Sequence, residues 1–220
     1  MARDVSDTTP ITSRAELISW FEAGCKSETA QLHLGTEHEK IPFYGSTHTP
    51  VPYQKNNNPG GIQQLLQGMQ AALGWEPILD RDFLIGLTDP QGGGALSLEP
   101  GGQFELSGAP LPDVHATDNE LNVHFNALAA VANPLDIKFL DLGASPKWSR
   151  AQTPVMPKQR YGIMSRYMPR VGALGLDMMF RTATIQVNLD FTSEVDMVEK
   201  LRVGLALQPV ITALFANSPF

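Results

Sequence analysis

Apolar residues recur along this chain at two spacings, one typical of helices and the other of strands. Intervals of three and four residues predict helices over residues 13–24, 62–73, 113–132, 160–168 and 193–220, the last interrupted at Pro209. The first helix opens on a capping box, because Glu16 follows Ser13 by three residues. Alternation and short apolar runs predict strands at 32–44, around Ile78 and Leu84, and over 95–99, 103–107, 137–142 and 179–191.

The order of these elements predicts the fold class. Consecutive strands joined by short turns favour antiparallel pairing, and the strands are too many for an all-α protein. We therefore predict an α+β fold, with helices packed on one face of an antiparallel sheet. Glycine and proline fall at the ends of elements, and we find no internal repeat and no domain boundary. The chain is accordingly expected to form one continuous unit.

Composition narrows the function classes. Hydrophobic residues make up 42% and charged residues 18%, which is enough to bury a core. The net charge of −7 gives no general attraction for nucleic acid or an anionic membrane. A single cysteine, Cys25, excludes an internal disulfide and a multi-thiolate zinc site. No apolar run is long enough to span a bilayer, and the acidic opening residues resemble no leader peptide, so we predict a soluble, cytoplasmic protein.

Four acidic side chains fall on one face of the predicted sheet. Alternation puts Glu37 and Glu39 on the same side of their strand. In the hairpin predicted over 95–107, the apolar residues lie on one side of the strands, and Glu99 and Glu105 lie on the other. Carboxylates that share a face repel one another unless cations neutralise them, and hard oxygen ligands suit Mg²⁺ or Mn²⁺. The alternative is that these acids are only the solvent-exposed face of a half-buried sheet.

Neighbouring residues help to decide between a metal site and a merely exposed sheet face. The long strand adds a second polar face, formed by Thr182, Thr184, Gln186, Asn188 and Asp190. Gly101 and Gly102 permit close backbone approach beside Glu99. His38 points away from the two glutamates, which favours core packing over metal ligation. Arg181 falls on the apolar side of its predicted strand, which requires either a bulge or another register.

Several long motifs resemble the plant-type glutamate–cysteine ligases, and the opening residues are similar to the alphaproteobacterial branch of that family. The motifs are LGTEHEK at 34–40, SLEPGGQFELSG at 97–108, RYMPR at 166–170, LGLDMMFRT at 174–182, IQVNLDF at 185–191, LALQP at 205–209 and ALFANSPF at 213–220. The resemblance runs over essentially the whole chain. It raises the metal-site interpretation above that of a merely exposed sheet face.

The resemblance implies a fold, a reaction and a set of roles. The fold would be a glutamine-synthetase-like cradle of antiparallel strands with helices behind it. The reaction would use ATP and Mg²⁺ to join the γ-carboxylate of L-glutamate to L-cysteine through γ-glutamyl phosphate, the first step of glutathione biosynthesis. The family's metal positions match Glu37, Glu39, Glu99 and Glu105. Its strand facing metal and nucleotide matches Gln186 and Asn188, and basic residues near the carboxylates or the transferred phosphate match Arg160 and Arg181.

The resemblance also implies that the chain is incomplete. Family members continue well beyond 220 residues, so residues 1–220 are interpreted as the N-terminal part of a single catalytic domain. That part alone is expected to be inactive. Two alternatives remain: a truncated, non-catalytic paralogue, and a related carboxylate–amine ligase that uses another amine. With Cys25 alone, the redox disulfides described for plant members cannot form within this chain.

Overall fold

The computed structural model describes residues 9–219, so the amino-terminal segment in which we predicted no leader lies mostly outside the described residues, as does Phe220. The helices are α1 (Arg14–Glu22), α2 (Ile62–Leu73), α3 (Val114–Ala132), α4 (Gln159–Val171), α5 (Gly175–Arg181) and α6 (Glu194–Leu214). The strands are β1 (Leu34–Tyr44), β2 (Glu76–Asp80), β3 (Phe83–Thr88), β4 (Ala95–Leu98), β5 (Phe104–Ser107), β6 (Ile137–Leu140) and β7 (Ile185–Leu189). None of the helices within residues 9–219 is both long enough and apolar enough to cross a membrane.

The seven strands form one antiparallel sheet organised around β1. The hydrogen-bonded order is β2-β3-β4-β5-β1-β6, and β7 also pairs with β1. The first half of β1 pairs with β5 and β7, and its second half, from Ile41 to Tyr44, pairs with β6. The predicted α+β class with antiparallel pairing is confirmed. The long β1 strand is what brings the hairpin β4–β5 and the distant strand β7 together.

The core lies between the sheet and the helices α2 and α3. The hairpin contributes its apolar side, as predicted, through the buried residues Leu96, Leu98, Phe104 and Leu106. Helix α2 opposes them with Ile62, Leu65, Leu66 and Met69, and α3 adds Leu128 and Ala132. Local signals fix the ends of these helices, since Asp113 caps α3 and Gly74 ends α2 in the left-handed conformation. This core packs on one side of the sheet, and the polar side chains of the hairpin lie on the opposite side.

Two of the predicted elements are wrong. Residues 179–191 do not form one strand, because helix α5 extends through Arg181 and β7 begins only at Ile185. A short apolar run fits either element, and α5 is favoured because it buries Met179 and Phe180. Arg181 therefore needs no bulge, since it lies in a helix. Likewise, α6 runs without interruption through Pro209, which removes one backbone donor from the helix but does not end it.

The turn that joins β4 to β5 depends on its glycines. Gly102 has a φ of 89°, which a residue with a side chain rarely adopts. A Cβ on Gly101 would lie 2.4 Å from the carbonyl oxygen of Phe180. The side chain of Gln103 ties the same segments together, since its Nε2 donates to the carbonyl oxygens of Met179 and Thr182. The predicted close approach at this turn is thus made by the end of α5.

Gly101→Ala is expected to destabilise the fold by about 1–3 kcal/mol, because the new methyl group would overlap a backbone atom that cannot easily move. Chemical denaturation measures the change in the free energy of unfolding. Gly172→Ala is the matched control, because a Cβ there meets nothing within 4 Å. Equal stability of the two variants would contradict the close packing of α5 on the turn.

Strand β7 and most of α6 are exposed in this chain. Helix α6 buries no residue, although it carries large apolar side chains on all sides, among them Leu201, Leu205, Leu207, Ile211, Leu214 and Phe215. The apolar residues of β7 are also exposed, at 57–66% of their surface. A helix that is apolar all round is normally buried. These elements therefore present an unsatisfied hydrophobic surface to solvent.

The 220-residue chain is accordingly expected to be marginally stable and to self-associate. Leu201→Glu combined with Leu205→Glu should weaken the association, because both residues lie one turn apart on one side of α6. Light scattering over a concentration series measures the mass of the species. Gln208→Glu adds charge to the same helix at an already polar position and serves as the control. A wild-type chain that stays monomeric and melts cooperatively would overturn this expectation.

Candidate functional site

The register of the sheet brings the predicted acidic residues to one face. Glu39 lies opposite Glu105, which lies opposite Ser97 on β4. Glu37 lies opposite Ser107 on one side and Gln186 on the other. Directly paired residues of antiparallel strands point to the same side. Glu99 follows Ser97 by two residues and continues the hairpin, since its N–H donates to the Gln103 carbonyl. We call the surface formed by Glu37, Glu39, Glu99 and Glu105 the acidic face.

The charges on the acidic face act on one another. Burial raises the pKa of Glu39 to about 7, and the neighbouring carboxylates of Glu99, Glu105 and Glu37 add to this increase. The N–H of Thr184 donates to Glu39 Oε2 at 2.9 Å and opposes it. Burial also raises the pKa of Glu99, with a further contribution from Glu105. The positive charge near the acidic face therefore does not balance its negative charge.

The carboxylates of Glu37, Glu39 and Glu105 also accept hydrogen bonds from neighbouring residues. The hydroxyls of Ser97 and Ser107 each donate to Glu105 at 2.6 Å, one to each oxygen. Gln186 Nε2 and Asn188 Nδ2 donate to the two oxygens of Glu37 at 2.8 and 3.0 Å. Gln186 and Asn188, which we assigned to nucleotide binding, are thus engaged with a carboxylate here.

The donor set suits a hard divalent cation, although the ligands are not gathered around one point. Only carboxylate oxygens are offered, and Mg²⁺ and Mn²⁺ prefer such ligands. Within residues 9–219, no three side chains of His, Cys, Asp or Glu are grouped so as to hold a metal ion. The four glutamates share a face and an electrostatic field but do not form a closed ligand shell. Mg²⁺ commonly completes its shell with water and substrate phosphates rather than with protein alone.

The two predicted basic residues lie in different surroundings. The charge of Arg160 acts on Glu99 and opposes the increase of its pKa. Arg181 Nη1 instead lies 3.7 Å from Asp177 Oδ1, and its Nη2 donates to the Ser145 carbonyl at 3.3 Å. Asp177 also pairs with Arg150. The charge of Arg160 therefore acts on one residue of the acidic face, whereas Arg181 is held by Asp177 and the Ser145 carbonyl.

Sequence reasoning missed two residues beside Glu99. Lys158 Nζ donates to the Leu98 carbonyl at 3.1 Å, and the hydroxyl of Tyr161 donates to the same oxygen. Burial raises the pKa of Tyr161, and the Glu99 charge adds to the effect. Both residues follow a proline-rich loop and lie about 60 positions from Leu98 in the chain. No local sequence pattern signals such a contact.

The opposite side of β1 carries a buried basic cluster. His38 points away from the acidic face, as predicted, and its Nδ1 lies 2.7 Å from Lys40 Nζ. Lys40 also lies over the ring of Phe125, at 4.6 Å from its centroid. Burial lowers the pKa of Lys40 to about 8 and that of His124 to about 3. Packing against α3 thus encloses a lysine and a histidine whose charged forms are disfavoured by burial.

Glu39→Gln is expected to remove a pH-dependent loss of stability. The Glu39 carboxyl has a pKa of about 7 when folded, against an ordinary value of 4.5. Between these values the folded state binds the extra proton, so the free energy of unfolding falls as the pH rises from about 4.5 to about 7 and stays reduced above that. After allowance for solvent screening, the loss amounts to about 1–2 kcal/mol.

Denaturation of the wild type and of Glu39→Gln at pH 5 and pH 8 measures this difference. The variant should gain stability relative to the wild type mainly at pH 8. Glu28→Gln, at an exposed acid outside the face, should leave the pH dependence unchanged. Parallel pH profiles for the wild type and Glu39→Gln would show that Glu39 is not held in a desolvated, negatively charged environment.

Comparison with known proteins identifies the family to which this chain belongs. The profile described as Glutamate-cysteine ligase family 2 (GCS2) matches residues 33–220. "Glutamate--cysteine ligase, chloroplastic" of Arabidopsis thaliana is 52% identical over 97% of this chain and 39% of its own length. The protein of the same name from Medicago truncatula is 51% identical over 97% of this chain and 40% of its own. "Glutamate--cysteine ligase A, chloroplastic" of Oryza sativa subsp. japonica is 49% identical over 98% and 42%.

These relatives bear on the predicted location and on how much of the family's length this chain covers. The predicted cytoplasmic location is wrong, because it is contradicted by the relatives, which are named chloroplastic. The prediction rested on charge and hydropathy at the start of the chain, and these properties do not identify a compartment. The chain spans about two fifths of the length of the relatives that it matches. Since the family profile covers residues 33–220, which include the whole acidic face, this chain belongs to glutamate–cysteine ligase family 2.

Proposed function

We propose that this chain contributes the metal-binding face of an ATP-dependent ligase that joins L-glutamate to L-cysteine, the first step of glutathione biosynthesis. The observation that carries the proposal is the acidic face, on which Glu37, Glu39, Glu99 and Glu105 share one side of the sheet within the family match. The carboxylates of Glu99, Glu105 and Glu37 add to the raised pKa of Glu39, an unfavourable arrangement that an exposed sheet face with no function would not need. A bound cation would reduce the repulsion between these carboxylates.

In the proposed reaction, the γ-phosphoryl group of ATP passes to the γ-carboxylate of glutamate and gives γ-glutamyl phosphate. The amine of cysteine then forms the amide bond, and inorganic phosphate and a proton leave. Neither step needs a covalent bond to the protein, so catalysis consists of positioning and charge neutralisation. When bound on the acidic face, Mg²⁺ would neutralise charge on the phosphoryl groups.

The residues of this chain would act through orientation. Ser97 and Ser107 fix the direction of the Glu105 carboxylate, and the amides of Gln186 and Asn188 fix that of Glu37. We propose that the two amides also face the nucleotide. Arg160, whose charge already acts on Glu99, is the better placed of the two arginines to meet an anionic substrate group. Arg181 would need to exchange its pairing with Asp177 for such a contact.

The finer architecture is part of the proposal. We propose that the open antiparallel sheet is a portion of a glutamine-synthetase-like cradle, in which further chain covers β7 and α6. The exposed apolar surface of these two elements supports this view. We also propose that residues 1–220 belong to a single catalytic domain rather than to a separate module.

The proposal predicts activity for a protein of the relatives' length that contains this sequence. Release of ADP should depend on both glutamate and cysteine, and residues 1–220 alone should release none, because positioning requires all substrate pockets at once. Glu99→Gln in the longer protein should reduce turnover about 10²-fold through lost charge neutralisation at the metal. Glu28→Gln is the control and should retain full activity.

The outcomes separate the alternatives. ADP release with another amine but not with cysteine would indicate a related carboxylate–amine ligase. An inactive longer protein would favour a non-catalytic paralogue. Cysteine-dependent turnover by residues 1–220 would show that the chain already contains a complete site.

A further inference from the structure

The peptide that leads into Glu99 is held from outside the sheet. Leu98 is fully buried at the end of β4, and its carbonyl oxygen accepts hydrogen bonds from two side chains of one segment. One donor is Lys158 Nζ, and the other is the hydroxyl of Tyr161 on α4. Lys158 also donates to the Tyr161 hydroxyl at 3.2 Å. The Leu98–Glu99 peptide bond is thus fixed by a small buried network.

The rest of the turn that carries Glu99 is restrained as well. The N–H of Glu99 donates to Gln103, and the N–H of Gly102 donates back to the Glu99 carbonyl, both at 2.9 Å. The N–H of Met156 donates to the Pro100 carbonyl at 3.0 Å. The turn that carries Glu99 is therefore clamped to the segment around residues 156–161.

We propose that Tyr161 is a positioning residue for Glu99, and that its hydroxyl fixes the Leu98–Glu99 peptide so that the Glu99 carboxylate is directed toward Glu105 and the metal. This inference rests on the proposed metal site. Tyr161 is 1% exposed, so it contacts no substrate and acts only through Glu99. A carboxylate held in place before the metal arrives loses less conformational freedom on binding, which strengthens binding.

A second buried tyrosine offers a matched control. Tyr53 is 7% exposed and belongs to the same core cluster. Its hydroxyl also donates to a backbone carbonyl, that of Leu84, at 2.9 Å. Tyr53→Phe and Tyr161→Phe therefore remove the same chemical group from similar surroundings. Only Tyr161 holds a peptide that carries an acidic-face residue.

The experiment measures Mn²⁺ binding, with Mn²⁺ replacing Mg²⁺ as a paramagnetic probe, and measures melting temperature alongside. Tyr161→Phe should bind Mn²⁺ about fivefold more weakly, which is the equilibrium effect of one lost hydrogen bond. Tyr53→Phe should melt at a lower temperature yet bind Mn²⁺ as the wild type does. In a Glu99→Gln background, Tyr161→Phe should cause no further loss, because the residue that it positions is already gone.

The outcomes distinguish this inference from the proposed function. If Glu99→Gln binds Mn²⁺ as tightly as the wild type, the proposed metal site fails, and the inference with it. If Glu99→Gln weakens binding while Tyr161→Phe does not, only the positioning role is overturned. An equal loss in both tyrosine variants also overturns it, because the effect would then be a general loss of structure.

A measurement on the wild type covers the case in which Tyr161→Phe does not fold. The chain has four tyrosines, so their ring signals can be resolved after ¹³Cζ labelling. Addition of Mg²⁺ should shift the Tyr161 signal, because its hydroxyl lies in the Glu99 environment, and should leave the Tyr53 signal in place. An unchanged Tyr161 signal at saturating Mg²⁺ would overturn the inference.

Discussion

Repulsion among carboxylates on one side of a sheet is the interaction on which the arrangement of this protein depends. Strand β1 pairs with β5, β6 and β7, so Glu39 lies opposite an acid of β5 and Glu37 lies opposite an amide of β7. The repulsion is tolerated because Glu37, Glu39 and Glu105 accept hydrogen bonds and because the hairpin that carries Glu105 packs its apolar side on the core. The fold supplies the energy that keeps the charges together.

This balance links stability to ligand binding. A buried carboxylate that is charged lowers the stability of the folded protein when no cation is bound. A cation that binds to the folded state and reduces the repulsion between carboxylates would raise that stability. The serine hydroxyls and side-chain amides orient the carboxylates but are neutral, so they leave the net negative charge of the acidic face in place. The hydrogen bonds of Lys158 and the buried Tyr161 to the Leu98 carbonyl add a restraint that involves no carboxylate of the acidic face.

Local patterns predicted the parts of this structure that local interactions determine. The capping residues Ser13 and Asp113 and the alternation in β1 and the hairpin were sufficient for those elements and for the common face of the glutamates. The run at 179–191 was misassigned because its apolar residues suit a helix that packs on the turn at Gly101, a contact between distant positions. The pairing of Gln186 with Glu37 and the approach of Tyr161 to Leu98 likewise depend on tertiary structure, which a single sequence does not reveal.

The alternation along β1 also restricts how this region can change during evolution. Residues Glu37, His38, Glu39 and Lys40 point in turn to the acidic face and to the core, so an insertion or deletion of one residue would exchange the two sets. Two carboxylates would then replace His38 and Lys40 in the packing against α3, and the buried lysine would join the acidic face. The segment between β1 and α2 has no such alternation to preserve. Length variation in relatives is therefore compatible with the loop after Tyr44 and incompatible with the strand before it.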